Sequence, residues 1–312
     1  APRPAPKPRP APAKPRPAQS PAEPAPPAVT ARGAEGGSES PTASLFDAPS
    51  LASFGGSRSD VPVQASLDGD DMRLALQWAA EGEPQPVQVP RGATLTYQAS
   101  GTLDGAPVQG QTTLAWRRTD TVYEADWQSP ARALARFHMA SSGLIAPQGL
   151  VPVLAGPRMG GAEPARFDHG GRVVHFPASS TQSEATTAAL PAGTQDALSA
   201  IIQLGAWLAG DARRFAPGQT FTLPVAADGA VQSWRWFVEP VPEPVTALRG
   251  QSVPAVLLIH VPMGERAATQ PRVRLWLTPA LDHLPVRMEL SWPNGDTLVQ
   301  QVSAARLNRT GD

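Results

Sequence analysis

The sequence predicts a mainly β fold: a curved antiparallel sheet, half-open barrel or sandwich-like, with one principal packed α-helix, preceded by a disordered proline-rich tail. Three observations predict it. From Arg91 onward, apolar and polar residues alternate with a period of two. Tight-turn dipeptides punctuate that alternation. The segment 194–209 carries the clearest apolar stripe at helical spacing.

The chain has 312 residues, 37 of them proline, and at least 13 of the prolines fall within residues 1–42. There prolines alternate with Ala, Lys or Arg, so the segment lacks regular donors and has almost nothing apolar to bury. It is expected to be a disordered spacer in extended polyproline II, its first 17 residues spanning roughly 50 Å at about 3.1 Å per residue. A second reading makes it a ligand for the proline-recognising groove of an envelope protein partner, or for an anionic surface. The chain opens at Ala1. A signal or anchor segment upstream of Ala1 explains that start as well as an arbitrary starting point does.

Residues 43–90 read as a weakly structured linker. Within it 70–80 (DDMRLALQWAA) can form one short helix, with acids at its start and Met72, Leu76 and Ala79 at helical spacing. The folded domain is expected over 91–308. In it Leu95, Tyr97 and Ala99 share one face, as do Tyr123, Ala125 and Trp127; Trp234, Trp236 and Val238; and Val286, Met288, Leu290 and Trp292. Such alternation marks strands with one wet and one buried face, the habit of antiparallel sheets. Asp104-Gly105, Thr119-Asp120, His169-Gly170-Gly171, Asp228-Gly229 and Asn294-Gly295 separate the strands, of which ten to twelve are expected.

Two segments depart from alternation. Val253–Val261 (VPAVLLIHV) is apolar on both parities and therefore covered on both faces. Its expected cover is the helix 194–209, with Thr194 as its cap, Asp196 complementing the positive end of the dipole, Leu198, Ile201, Ile202, Gly205 and Leu208 as its stripe, and Gly210 as terminator.

Five stretches, in order, resemble a known family: YQASGTLDGAPVQGQTTLAWRRTDTVYEADW, SSGLIAPQGLVP, ARFDHGGRVVHF, TQDALSAIIQL and WLTPALDHLPVRMELSWPNGDTLVQQV. The chain resembles, over Arg91–Leu307, the bacterial proteins grouped as domain of unknown function 3108. The resemblance implies a β-rich, envelope-associated domain of Gram-negative bacteria, often behind a hydrophobic segment and a proline-rich stretch, with no assigned catalytic residues. It therefore implies a periplasmic location, tethered or exported by a segment upstream of Ala1 that would hold the domain near a membrane.

Composition excludes much chemistry. No cysteine is present, which removes disulfides, thiol catalysis and thiolate zinc sites. A net charge of −1 without a basic face argues against a nucleic-acid partner. No run of 18 apolar residues occurs. His169 and His175 flank a Gly-Gly turn beside Asp168, without a second ligand pair, and read as a solvated turn with no metal. His260 reads as a hydrogen-bonded core histidine, His283 as a turn residue, and His138 as lacking a partner. No nucleophile elbow, metalloprotease helix or phosphate loop is present, so no catalytic residue and no cofactor are expected.

Eight tryptophans against two tyrosines leave two readings. In the first, the protein is a non-catalytic periplasmic carrier or chaperone that binds an apolar, lipid-like ligand in the concave face of the sheet. Trp127, Trp234, Trp236, Leu257, Ile201 and Trp292 are then the ligand-binding residues. Its general plan is similar to that of periplasmic lipoprotein carriers, an analogy of fold alone. In the second, the protein is an envelope scaffold or assembly factor with a filled core, making protein contacts through the tail and loops such as Ile145–Arg158. The readings part on whether Trp234, Trp236, Leu257 and Ile201 line a cavity of roughly 300 Å³ or more.

Overall fold

A computed structural model of the chain describes residues 69–80, 85–156, 163–178, 184–240, 244–246 and 250–308. The tail 1–42 and the linker as far as residue 68 lie outside the described residues. The described residues form a large curved sheet that does not close into a barrel, together with two helices.

The first helix, α1 (Gly69–Ala80), buries Ala75, Trp78 and Ala79 and leaves Leu76 44% exposed. Of the expected Met72–Leu76–Ala79 stripe, Met72 and Ala79 pack inward and Leu76 does not; Ala75 and Trp78 take its place, with the Trp78 indole donating to the Leu190 carbonyl at 3.3 Å. This part of the linker contributes to the core.

Seventeen strands occur among the described residues, more than the ten to twelve expected. The shortest are β6 (Ala165–Asp168) and β7 (Val173–Phe176), which flank the His169-Gly170-Gly171 turn as expected, and β8 (Thr186–Ala189), β9 (Gln195–Asp196), β12 (Val245–Thr246) and β13 (Ser252–Val253), which were not expected. Two to four residues are too few for alternation to be read. The longer strands are β1 (Ala93–Leu103), β2 (Ala106–Arg118), β3 (Val122–Gln128), β4 (Met139–Ala146), β5 (Gly149–Ala155), β10 (Thr220–Ala227), β11 (Ala230–Val238), β14 (Val256–His260), β15 (Arg272–Leu277), β16 (Pro285–Ser291) and β17 (Thr297–Leu307). The segment Ile145–Arg158, expected as a contact loop, is the β4–β5 hairpin as far as Gly156.

Fifteen strands form one sheet in the order β8-β7-β6-β5-β4-β3-β2-β1-β17-β16-β15-β14-β11-β10-β9. The chain meanders from the centre out to β8, crosses to the opposite edge at β9, and meanders back so that β17 pairs with β1. Neighbours are antiparallel except β9 and β10, which share one short parallel pairing. At the Asp104-Gly105 and Asp228-Gly229 turns both residues have positive φ, the backbone that two-residue hairpins require.

The second helix, α2 (Ala197–Gly210), lies against β3, β4, β5, β9 and β10, and so bridges the two halves of the sheet. Beyond it β9 touches β5, and β8 touches β11. The sheet curls until its ends meet around the helix without a closing ladder. The helix is buried nearly all round, as its mostly apolar sequence requires. Its cap is Asp196, not Thr194. The Asp196 carboxylate accepts from the Leu198 and Ser199 amides, each at 2.9 Å, while the Ser199 hydroxyl accepts from the Asp196 amide, a reciprocal capping box. Thr194 instead donates to the Pro191 carbonyl in the preceding turn.

Candidate ligand-binding site

The aromatic residues expected to bind ligand are split by the register of the sheet. Residues directly opposite on paired strands share a face, and successive residues alternate. Trp236 lies opposite His260, and Val238 opposite Leu258, so these four point one way. Leu257 lies opposite Trp276 and points the other way. Trp236 and Leu257 therefore cannot line one cavity. Trp236 is 0%, Leu257 1% and Ile201 5% exposed, all within the main hydrophobic core. Trp127 is equally buried, stacked on Tyr97 with ring centres 4.8 Å apart, its indole donating to Thr112 Oγ1. Trp234 is half-buried and stacks on His260 at 4.8 Å. Trp292 belongs to a separate cluster, tilted against Phe137. These positions give the tryptophans packing roles.

The space that does exist lies beside the helix. A cleft of about 190 Å³ opens between α1, the β4–β5 turn, α2 and β10. Its apolar walls include Trp78, Leu150 and Val151. Its polar lining is mostly amide: Gln85, Gln148, Gln195 and Gln203. Two of these are fixed by the backbone. Gln203 Oε1 accepts from the Leu150 amide at 2.7 Å and its Nε2 donates to the Gln148 carbonyl at 3.1 Å. Gly149 makes room for this clasp, since its φ of 113° and the adjacent Gln203 side chain both disfavour a Cβ. Gln195, 3% exposed, donates through Nε2 to the Leu150 carbonyl at 2.8 Å, which leaves Oε1 as its free end.

Among the described residues ten buried side-chain atoms lack a hydrogen-bond partner, and four of them, Gln85 Oε1, Gln148 Oε1, Gln195 Oε1 and Trp207 Nε1, belong to residues that line this cleft. Arg214 completes the rim, its guanidinium 4.5 Å from the centre of the Trp207 ring. Burial lowers the pKa of that guanidinium from its ordinary value, against the opposing pull of Asp211.

Below the cleft sits a closed polar chain. Tyr123 and Ser141 hydroxyls are 3.0 Å apart, and Ser141 donates to Asp196 Oδ2 at 2.5 Å. Burial raises the Asp196 pKa, while the hydrogen bonds from Ser141, Ser199 and Leu198 oppose it. Ser141 is 1% exposed and its hydroxyl proton is committed to Asp196, so this chain is built to hold the helix start.

The histidines are dispersed. His169 is buried, with Nε2 2.8 Å from the Pro152 carbonyl and its ring 4.6 Å from Trp78, which corrects the solvated-turn reading. His138 has a partner in Asp126 at 3.0 Å. His260 Nδ1 lies 2.9 Å from the Arg235 carbonyl, and burial holds its pKa below the usual imidazole value. Among the described residues no three His, Asp or Glu side chains come together in a metal-holding group.

A second hollow of about 320 Å³ lies on the outer face, between β12 and β15–β17. Arg274 and Arg287 stack over Trp276 there, both paired with Glu289. The two guanidinium groups share the one Glu289 carboxylate, and Gln301 ties Arg287 to the Thr246 carbonyl.

The glutamines carry no motif that sequence reading could have caught. The available signal was Gln203, a lone amide between Ile202 and Leu204 in an otherwise apolar helix.

Known proteins were compared with the chain. A β-barrel-like protein of the DUF1849 family from Brucella abortus is 11% identical over 72% of this chain and all of its own, with a TM-score of 0.45. The hypothetical lipoprotein YmcC from Escherichia coli is 8% identical over 75% of this chain and 96% of its own, with a TM-score of 0.30. A LolA superfamily protein from Nitrosomonas europaea is 10% identical over 78% of this chain and 96% of its own, with a TM-score of 0.25. At these values the likeness is one of general outline only. A search of the curated proteins finds no match. The family described as protein of unknown function DUF3108 matches residues 94–302, two thirds of the length and nearly the whole sheet, and the chain belongs to that family.

Proposed function

We propose that this chain is a non-catalytic, periplasmic envelope protein that carries an amphipathic, lipid-like ligand, held by its polar end in the cleft beside α2. One observation carries the reading: the cleft beside α2 joins apolar walls from Trp78, Leu150 and Val151 to side-chain amides of Gln85, Gln148, Gln195 and Gln203. Concave, mostly apolar sites with a few convergent polar groups are where small ligands bind. The periplasmic placement rests on the family resemblance and on the proline-rich segment, which would act as a spacer from a membrane or as the contact for an envelope partner.

The scaffold reading has one observation in its favour. Trp236, Leu257 and Ile201 are buried to 5% exposure or less, so the residues expected to form a ligand cavity fill the core instead. Native mass spectrometry of protein drawn from a bacterial envelope separates the two. The carrier should show a co-purifying amphiphile that is lost in Gln195→Leu; protein with no bound amphiphile supports the scaffold.

A further inference from the structure

We infer that the loop joining β14 to β15 forms, with the strand ends beside it, a surface that docks on an anionic phospholipid bilayer. The inference goes beyond the carrier reading and does not rest on the cleft.

Exposed apolar side chains gather at this loop. Among the described residues the exposed large hydrophobic side chains are Leu76, Val261 and Met263, and the last two sit in one tripeptide, Val261-Pro262-Met263, at 52% and 64% exposure. Singly scattered apolar residues are ordinary on a surface, whereas clustered ones rimmed by polar groups mark sites of interaction. Pro262 between them is buried, and Gly264, at a φ of 64°, turns the chain into the short 3-10 segment Gly264–Ala268. The register of the sheet shows what stands beside Val261. His260 lies opposite Trp236 on β11 and opposite Val273 on β15. One residue further on, the same register sets Val261 between Arg235 and Arg272, and all three are exposed. Leu257 and Ile259 share that side of β14 and are buried, so Val261 carries their apolar row out to the surface.

Charge decides which partner fits. Among the described residues neither Arg235 nor Arg272 makes an ion pair, and their neighbours across the ladder, Thr222 and Ser291, are neutral. Glu289 is already engaged by Arg274 and Arg287. Glu239, on the same side of β11, is four residues from Arg235, about 13 Å along a strand. Glu265 and Arg266 within the loop offset each other. An apolar tip between two unanswered guanidinium groups matches the boundary of an anionic bilayer, where apolar side chains enter the acyl region and cations meet lipid phosphates. A protein partner would ask for about 800 Å² on each side, far more than a two-residue tip offers.

The test is co-sedimentation of the full chain with vesicles of phosphatidylcholine alone, and of phosphatidylcholine and phosphatidylglycerol in equal parts. The chain should pellet with the anionic vesicles and not with the neutral ones. Met263→Ser should weaken that binding about tenfold, the loss of one inserted apolar side chain. Arg235→Gln combined with Arg272→Gln should weaken it about tenfold or more, at about fivefold for each cation near an anionic surface. All three positions are exposed, so thermal melts should stay unchanged. The chain has no cysteine, so Met263→Cys and Leu76→Cys can each carry a single environment-sensitive fluorophore. The label at 263 should shift to the blue on anionic vesicles and the label at 76 should not. Binding that survives every substitution would place the contact in the basic, proline-rich segment 1–42 and overturn the inference. Equal binding to neutral vesicles, a blue shift at 76 in place of 263, or no binding at all would overturn it as well. Self-association that is lost in Met263→Ser would make a second copy the occupant of this surface, with the same consequence.

Discussion

Asp196 shows how much one side chain can be asked to do. It caps α2, receives the Ser141 hydroxyl, and sits at 3% exposure. Burial raises its folded-state pKa above the unfolded value, so the native state binds the proton more tightly than the unfolded state. Stability contributed by this group is therefore present at low pH and declines as pH rises from about 3.9 through the raised folded pKa. Asp196→Asn keeps the capping oxygen and removes the titration. Urea midpoints taken from pH 4 upward should show wild type losing ground to Asp196→Asn as pH rises; a growing wild-type advantage would sink the argument. Trp236 tests the packing reading. Its indole is fully buried opposite His260 within the main core, so Trp236→Ala should cost about 3–5 kcal/mol in chemical denaturation, the range for large-to-small core changes. A cost below about 1 kcal/mol would mean a loose interior and revive the cavity first expected there. At this scale the sequence was a partial guide. Parity identified which tryptophans turn inward, but whether an inward residue meets a void or a neighbour depends on what the helix brings down upon it. The buried glutamines had no parity signal at all, since amides are common on wet faces too.

Helix α2 is the element most plainly legible in the chain, because its apolar stripe repeats over more than three turns. Its cap was misassigned by two residues. Thr194 and Asp196 are both good caps, and only the β9 pairing of Gln195–Asp196 with β10 delays the helix until Ala197. At Gly205 the helix runs close against the 279–284 turn: a Cβ there would run into the His283 carbonyl oxygen. Gly205→Ala raises helix propensity by roughly 1 kcal/mol, yet in this position overpacking should win and the variant should lose about 1–3 kcal/mol. Thermal and urea unfolding will decide the sign, and a stabilised Gly205→Ala would show that the helix has room to shift. Most strands of five residues or more were legible, β5 excepted, since it falls in the segment expected as a contact loop. Among the two- to four-residue strands β6 and β7 were legible from the turn between them, while β8, β9, β12 and β13 were not, because they are held by neighbours already in place.

Across the whole molecule the sheet order could not be read from the sequence, since every hairpin is local and the joining of β1 to β17 is not. That joining sets a gradient. β1 is paired on both sides along nearly all of its eleven residues, and β2 and β17 each share a long ladder with it, whereas β8 is four residues long and paired on one side only. Hydrogen exchange read by mass spectrometry should find the slowest amides in β1, β2 and β17 and the fastest in β8; the reverse order would contradict the pairing. The same joining bears on biosynthesis. A ribosome or export channel delivers β1 long before residues 297–307, so throughout that interval the eleven-residue flank of β1 that awaits β17 is an open template for any other strand. The flank stays open to mispairing until the last strand emerges, and a message truncated upstream of Thr297 is expected to yield a product prone to aggregate, however intact the rest of its sequence.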